Sequence, residues 1–410
     1  CWTIKSIVAF IPIIMNLLNY STTTVFNYCP KLSRAFFASF RPNNQFESLI
    51  LSWKTKVAKI VDIKEDTLTA TPLQLLSITL NRKEIINNIP SIQTPPDETP
   101  LPPNYHLAYF LPRDYENELS SDGYKTKFSP PAPFLRRMWA GGELKFNQEN
   151  PLKIGQKVKM TTKVRDVEYK MGKLGKNVFV WLDKEIVNEN GCSLIDSRCI
   201  VYMPASEENK PKPPRKIIKE NISSEFEKVI FPTSILLFRY SALTFNSHRI
   251  HYDHIYSTKT EGYPGCLVHG PLTCTLLLDL IRDNLPNTSY IKTFSYRAMS
   301  PLYVGEEFKI CGKKSDTNDK FIDVWAENIH GGIAVTYVLV IGASIPVMVT
   351  TNKINHFFRE WKFFGSLSFK VKSEFLVTSV SSVTSVTSVT SETSEISEEI
   401  LLIIEINMNV

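Results

Sequence analysis

The feature that most restricts the fold of this chain is a series of strand-like segments that occurs twice. The first series has strand candidates at 107–111, 157–167, 177–187 and 193–202, and a short helix predicted from the prolines at 130–133 to Gly141-Gly142. The second has a strand at 236–240, a helix at about 271–285, and strands at 291–298, 307–313, 321–328 and 333–341. One buried helix followed by an antiparallel meander, present twice, predicts an α+β fold.

Composition supports a packed protein and excludes some functions. The chain has 410 residues, of which 43% are hydrophobic, so it can bury a large core and hold two domains. Its net charge of +6 is mild, and no basic helix or stripe appears outside one linker, which argues against nucleic-acid binding. The seven cysteines include no C-x-x-C pair, which favours a reducing compartment.

The two ends of the chain differ in composition from its centre. Residues 1–45 contain no acidic residue, which predicts a mitochondrial transit segment, with unrelated or mistranslated sequence as the alternative. The apolar run at 6–18 is too short for a standard membrane span. The predicted order continues with a helical segment and linker (46–95), a first domain (96–208), a basic Pro-rich linker (209–232), a second domain (233–345) and a low-complexity or spurious tail (346–410).

Titratable side chains are concentrated between residues 244 and 272. Imidazole titrates near neutral pH, so His248, His251 and His254 are candidates for moving protons, with Asn246 beside them. A metal site is the alternative, but no cysteine pair supports it and two of the histidines would face opposite sides of a strand. Asp253 either orients a histidine or caps a helix that begins at residue 254 or 255.

Two further motifs carry possible binding groups. Gly270-Pro271 is typical of a helix start, and the Gly270 N–H could also stabilise a developing oxyanion beside the histidines. The pair Arg136-Arg137 precedes Trp139, and these arginines either grip phosphates of a thioester carrier or an acidic carrier surface, or are solvated charges beside a buried Trp. The chain has no phosphate-binding Gly loop and no G-x-S-x-G elbow.

Three blocks, in this order, resemble the MaoC-like double hot-dog dehydratases, and within them the fungal mitochondrial hydroxyacyl-thioester dehydratases of type 2. The blocks are FLRRMWAGG at 134–142, ALTFNSHRIHYD at 242–253 and GYPGCLVHGP at 262–271. The resemblance implies two units, each a long central helix wrapped by a curved antiparallel sheet, with the catalytic motif in the C-terminal unit. It further implies reversible dehydration of (3R)-3-hydroxyacyl thioesters on acyl carrier protein or CoA, without a metal or other cofactor, in the mitochondrial matrix. A homodimer is compatible with it.

The resemblance also implies the site residues. The family pattern is Asp-x-Asn-Pro-hydrophobic-His, onto which Asn246, His248, Arg249, Ile250 and His251 fall in that order. An amide at the first position can bind water but cannot exchange a proton at neutral pH. We therefore expect His251 to relay the proton and Asn246 to position the water, with His248 or Asp253 in place of the missing carboxylate. Substrate-binding residues are expected to be Gly270, Arg249, Arg136, Arg137 and Trp139.

Two alternatives remain open at this point. The first is an enoyl-CoA or mesaconyl-type CoA hydratase on the same fold, which differs in carrier and acyl group. The second is a non-catalytic hot-dog subunit that binds acyl chains, which the amide at Asn246 keeps open.

Overall fold

The structure is a computed structural model that describes residues 44–86, 88–172, 175–204, 223–286, 289–315 and 320–343. Most of the predicted transit segment, the basic run at 210–219 and the tail at 346–410 lie outside the described residues. No helix in the described ranges is long and apolar enough to cross a membrane.

Two sets of elements follow each other along the described part of the chain. The first set has two helices and seven strands: α1 (Asn44–Val57), β1 (Val61–Thr67), α2 (Ala70–Thr79), β2 (Glu84–Ile86), β3 (Ile89–Pro90), β4 (Arg136–Phe146), β5 (Lys157–Gly172), β6 (Gly175–Asn188) and β7 (Gly191–Met203). The second set, again among the described residues, has two helices and five strands: β8 (Phe226–Ile230), α3 (Ser234–Leu243), α4 (Gly270–Asn284), β9 (Ser289–Ala298), β10 (Phe308–Lys314), β11 (Phe321–Asn328) and β12 (Ile333–Ala343).

Ten of these strands form one antiparallel sheet with two halves of equal topology. The order is β1-β5-β6-β7-β4-β9-β12-β11-β10-β8, so the first five strands and the last five mirror each other. The halves join where β4 pairs with β9, from Gly141 opposite Arg297 to Lys145 opposite Thr293. This duplicated sheet with a helix packed in it confirms the α+β double hot-dog fold.

Helix α4 is the central helix of the second half. It begins at Gly270 with Pro271 in its first turn, as predicted. Proline is tolerated there because the N–H groups of the first turn have no carbonyl partner within the helix, so the N–H that proline lacks costs no hydrogen bond. Ten of its residues are buried, including Leu272, Leu277 and Ile281 at 0% exposure. The hydrophobic core that surrounds this helix contains side chains from both halves, so both halves of the sheet pack on the same helix.

The first half differs from the expected pair of long helices. Between Pro100 and Arg136 the described chain forms only two short 3₁₀ turns, Tyr105–Ala108 and Glu116–Glu118, where the second half has α4. The helix predicted to end at Gly141-Gly142 is instead strand β4. These glycines permit close packing in a sheet, because a Cβ at Gly142 would lie 2.1 Å from the Ser197 carbonyl oxygen.

Three other secondary-structure predictions were wrong. The strand predicted at 107–111 overlaps the turn Tyr105–Ala108, and the strand predicted at 236–240 lies within α3, whose N-cap Thr233 accepts a hydrogen bond from the Leu236 N–H at 3.0 Å. The helical segment predicted from residue 46 onward contains α1 and α2, but strand β1 lies between them. Short apolar runs do not by themselves distinguish strand from helix. The four strands that follow α4 were predicted correctly.

Candidate active site

The loop that follows α3 carries the histidine cluster. Phe245 has a φ of 48°, and the Asn246 side-chain oxygen then accepts the His248 backbone N–H at 3.1 Å. The next residues form a 3₁₀ turn, Arg249–His251. Because of this turn, the His248 and His251 rings do not point to opposite sides but meet edge to face, with centroids 5.5 Å apart.

His251 is held in one tautomer. Its Nδ1 lies 2.9 Å from the Leu267 carbonyl oxygen, which can only accept, so Nδ1 carries the proton and Nε2 keeps a free lone pair. The side chain is 9% exposed, and burial lowers its pKa to about 4 despite the hydrogen bond to Leu267. At neutral pH the imidazole is therefore an uncharged base.

His269 is a site residue that the sequence analysis did not assign. It is the N-cap of α4, is fully buried, and stacks on His251 with ring centroids 3.7 Å apart. Its Nε2 is hydrogen-bonded to Ser241 Oγ at 2.8 Å, which fixes the ring that supports His251. Burial, together with His251 and His248, holds its pKa well below the ordinary value, so it too is neutral. The sequence places His269 directly before Gly270, and this position could have marked it as a candidate. Its stacking on His251 depends on the fold and has no signal in the sequence.

Gly270 lies beneath an aromatic side chain from the first half. As the first residue of α4 it has an N–H that no carbonyl of the helix accepts, at the positive end of the helix dipole. The Trp139 ring covers this position so closely that a Cβ at Gly270 would lie 2.1 Å from Cε3. The indole also packs on Tyr296 with centroids 4.4 Å apart. The structure thus brings together Gly270 and Trp139, which were both expected to bind substrate.

Asp122 supplies the carboxylate nearest to the histidines, and no signal in the sequence pointed to it. It comes from the irregular segment of the first half, and its Oδ2 lies 3.5 Å from His248 Nε2. The same carboxylate accepts a hydrogen bond from Arg137 Nε at 2.8 Å. Arg137 also donates to the Lys125 carbonyl oxygen and to Ser120 and Ser129. With a side chain only 6% exposed, Arg137 is a buried cross-link and not a solvated charge.

The remaining predicted residues lie at the margin of this cluster. Asp253 caps the turn that follows it, accepting the Tyr256 N–H at 2.9 Å, and pairs with Arg249 at 2.8 Å. It is therefore a cap, as one of the two interpretations held, and does not replace the missing carboxylate. Arg136 pairs with Glu261 at 2.7 Å, so its charge is already neutralised. Among the described residues no three His, Cys, Asp or Glu side chains are grouped so that they could hold a metal ion.

Asn246 connects the cluster to a cavity of about 130 Å³ between the two halves. Because its Oδ1 already accepts the His248 N–H, the amide nitrogen is the group left to interact with a ligand. Pro271, in the first turn of α4, lines the same cavity. An amide donor, a basic imidazole and the N–H at the start of a helix therefore occupy neighbouring positions.

Comparison with known proteins identifies the family. Residues 104–304 match the model of hydroxyacyl-thioester dehydratase type 2. The mitochondrial hydroxyacyl-thioester dehydratase type 2 of Schizosaccharomyces pombe is 30% identical over 65% of this chain and 93% of that protein. The chain belongs to the family of hydroxyacyl-thioester dehydratases of type 2. The mesaconyl-C(4)-CoA hydratase of Chloroflexus aurantiacus is also similar, with 36% identity over 62% of this chain and 88% of that protein.

A solved structure supports the fold assignment. A MaoC-like dehydratase from Phytophthora capsici superimposes with a TM-score of 0.53, covering 72% of this chain and 99% of that one, at 11% identity. As a member of its family, this dehydratase is a hydro-lyase that acts on hydroxyacyl thioesters. The family prediction made from three sequence blocks is confirmed.

Proposed function

We propose that this dehydratase converts (3R)-3-hydroxyacyl thioesters reversibly to trans-2-enoyl thioesters, with His251 as the group that moves the proton. The observation that carries the proposal is the fixed tautomer of His251, whose unprotonated Nε2 belongs to a ring stacked on the N-cap of α4. A general base must be unprotonated at the working pH, and burial keeps His251 so.

The steps follow from these groups. His251 Nε2 removes a proton from C2 of the substrate, and the electron pair moves toward the thioester carbonyl, whose oxygen accepts a hydrogen bond from the Gly270 N–H. The C3–O bond then breaks, the imidazolium returns its proton to the departing hydroxyl, and water and the enoyl thioester result. The Asn246 amide nitrogen donates to this hydroxyl or water. One imidazole thus serves first as the base and then as the acid, so these steps require no carboxylate at the position of Asn246.

We propose acyl carrier protein as the carrier and the mitochondrial matrix as the compartment, within fatty acid synthesis. The support is the two fungal relatives, of 30% and 26% identity, that are named as mitochondrial type 2 dehydratases. The second candidate is a CoA hydratase, favoured by the 36% identity with mesaconyl-C(4)-CoA hydratase. Comparing rates on trans-2-enoyl thioesters of carrier protein and of CoA would decide between them.

The test of the chemistry is hydration of trans-2-enoyl thioesters, followed by loss of the enoyl-thioester absorbance. His251→Ala is expected to lower kcat by about 10²–10⁴-fold, the usual contribution of a general acid–base, and Asn246→Ala by less. His330→Ala is the matched control, because His330 lies on an exposed turn of the second half. If His251→Ala retains the wild-type rate, the assignment of His251 fails.

A further inference from the structure

The turn that ends helix α3 has an unusual residue at its centre. After the C-cap Thr244, Phe245 has a φ of 48°, and its N–H donates to the Ala242 carbonyl oxygen at 3.2 Å. The Asn246 N–H then donates to the Ser241 carbonyl oxygen at 2.8 Å, which completes a Schellman motif. Glycine usually occupies the left-handed position of this motif, because a Cβ is strained there, and a bulky residue is an outlier.

The first half of the chain offers a direct comparison. Helix α2 takes the place of α3 there, since each helix follows an edge strand of the sheet, β1 or β8. After the C-cap Leu80, Asn81 has a φ of 56°, and its N–H donates to the Ile78 carbonyl oxygen at 3.0 Å. The Arg82 N–H donates to the Ser77 carbonyl oxygen at 3.0 Å. Both helices thus end in the same motif, but the first half has asparagine, which tolerates this backbone, where the second half has an aromatic ring.

Phe245 does not offset its strain by packing in the core. Its side chain is 58% exposed, whereas that of Phe294 in the core is 0% exposed. Phe245 and Asn246 both line the cavity of about 130 Å³ between the halves. Because Phe245 is exposed and also part of the lining, it lies where the cavity meets solvent. Strained residues of this kind occur at ligand sites, where the strain serves the function and not the stability of the fold.

A second phenylalanine in the left-handed region lines the same cavity. Of the described non-glycine residues with a positive φ, Phe110 and Phe245 are the two aromatic ones. Phe110 has a φ of 53° and is 4% exposed, so it forms part of the inner wall. Leu107 and Met160 add further apolar surface to the lining. The cavity beside Asn246 therefore has an apolar wall with one ring inside and one ring at its mouth.

The charged part of the lining is compatible with an uncharged ligand. Arg198 Nη2 and Lys184 Nζ lie 2.5 Å and 3.9 Å from the fully buried carboxylate of Asp196. Burial lowers the pKa of Lys184 and of Lys125 and so favours their uncharged forms. The apolar wall is the part of the lining that is left for contact with a chain of carbon atoms.

We infer that the Phe245 ring contacts the acyl chain of the bound thioester and sets the preference for its length. The inference rests on the proposed function, in which the Asn246 amide binds the 3-hydroxyl group. The residue directly before Asn246 then lies beside the carbons that follow C3. A ring at this place buries methylene groups as the chain enters, and each buried methylene contributes about fourfold in affinity. The left-handed backbone is what places the ring at the mouth of the cavity.

The test compares hydration of trans-2-hexenoyl and trans-2-butenoyl thioesters on the same carrier, which differ by two methylene groups. The cavity volume is that of roughly four water molecules at about 30 Å³ each, which suits acyl tails of this length. We expect the unsubstituted protein to prefer the hexenoyl thioester by about four- to fifteenfold in kcat/KM, mainly through KM. Phe245→Gly and Phe245→Asn should each remove more than half of this factor. No preference in the unsubstituted protein, or variants that keep half or more of the factor, would overturn the inference.

Stability separates contact with the substrate from a structural role. Both variants relieve the left-handed strain, so their midpoints of urea unfolding should equal or exceed that of the unsubstituted protein. If both midpoints fall and activity on the two thioesters falls equally, Phe245 is a structural residue and the inference is wrong. Phe238→Ala is the matched control, because Phe238 on α3 is 67% exposed but does not line the cavity. It should keep the chain-length preference, and loss of the preference in this control would also overturn the inference.

Binding separates this inference from the proposed function. Calorimetry with the saturated butyryl-CoA and hexanoyl-CoA measures the same preference without turnover. A protein that hydrates no enoyl thioester, but prefers hexanoyl-CoA and loses this preference in Phe245→Asn, would confirm the contact and refute the hydro-lyase steps. A protein that hydrates both thioesters, and whose Phe245 variants weaken both equally, would keep the steps. Its ring would then contact the pantetheine arm that both thioesters share, and the inference would fail.

Discussion

The contact between Trp139 and Gly270 allows a quantitative test of the site, in which Gly270→Ala is made in two backgrounds. An added Cβ would lie 2.1, 2.7 and 3.1 Å from three ring carbons of Trp139. Carbon atoms in contact are normally about 3.5–4.0 Å apart, so the overlap at the nearest atom exceeds about 1 Å. The indole cannot withdraw freely because it packs on Tyr296 and against the core.

The expected cost of Gly270→Ala is about 1–3 kcal/mol in the free energy of unfolding, the range found for overpacked cores. Helix propensity alone would favour alanine by up to about 1 kcal/mol, so any loss is caused by the clash. In a Trp139→Leu background the clash is relieved, and Gly270→Ala should then be neutral or slightly stabilising. The two substitutions are therefore coupled by about 1–3 kcal/mol.

Urea unfolding of the four proteins in this cycle measures the coupling. Gly265→Ala is the control, because a Cβ at Gly265 meets no described atom within 4 Å, and it should leave stability nearly unchanged. Hydration kinetics of the same proteins report on the oxyanion donor. Displacement of the Gly270 N–H should lower kcat by about 10²–10³-fold when Trp139 is present and by much less after Trp139→Leu. Equal cost of Gly270→Ala in both backgrounds would refute the packing on which the site rests.

Three further outcomes follow from burial and charge. The kcat/KM for hydration should stay level from about pH 8 to about pH 5 and fall near pH 4, where His251 becomes protonated; a midpoint near 6.5 would show that His251 is not the base or is not buried. Because the pKa of His251 is about 4 in the folded state and near 6.5 in the unfolded state, the unfolded state binds more protons between these values, and stability is lost as pH falls from 6.5 to 4. At about 1.4 kcal/mol per pH unit this amounts to roughly 3 kcal/mol from His251, measurable by urea unfolding across that range, and a flat profile would contradict it. Arg137→Met should cost about 3–5 kcal/mol because it leaves Asp122 buried and unpaired, whereas Arg249→Met at its more exposed pair should cost less than about 1 kcal/mol; similar losses would contradict the burial of Arg137.

Much of the second half could be predicted from local pattern. Alternating apolar residues predicted the four strands after α4, and Gly270-Pro271 predicted the start of the helix. These signals are local because strand alternation and helix-start chemistry depend on neighbouring residues. The same alternation predicted β5, β6 and β7 of the first half, but not β4, since Gly141-Gly142 is typical of a helix end although it lies inside a strand whose neighbours approach closely.

The residues missed at the site share one property. Asp122 reaches His248 from the other half of the chain, and His269 supports His251 by ring stacking between separate elements. Neither contact has a spacing that a sequence pattern reveals, because the first arises from the way in which the halves pack and the second from the way in which a turn and a helix start of the second half pack. The histidine cluster was predicted because its members lie within one loop, and the arginines were misjudged because their acidic partners are distant in sequence.

The difference between the halves explains how one chain builds the site. Where the second half has α4, the first half has an irregular segment that packs on the loop carrying His248 and His251. Gly123 in this segment has a φ of +79°, and a Cβ there would lie 2.2 Å from the Ser247 carbonyl oxygen. In the same contact, the Asp122 carbonyl oxygen accepts the Arg249 N–H at 2.8 Å. The second half alone would keep His251 and Gly270, but it would lose the ring above Gly270 and the carboxylate beside His248. The half without the long helix therefore completes the site of the half that has it.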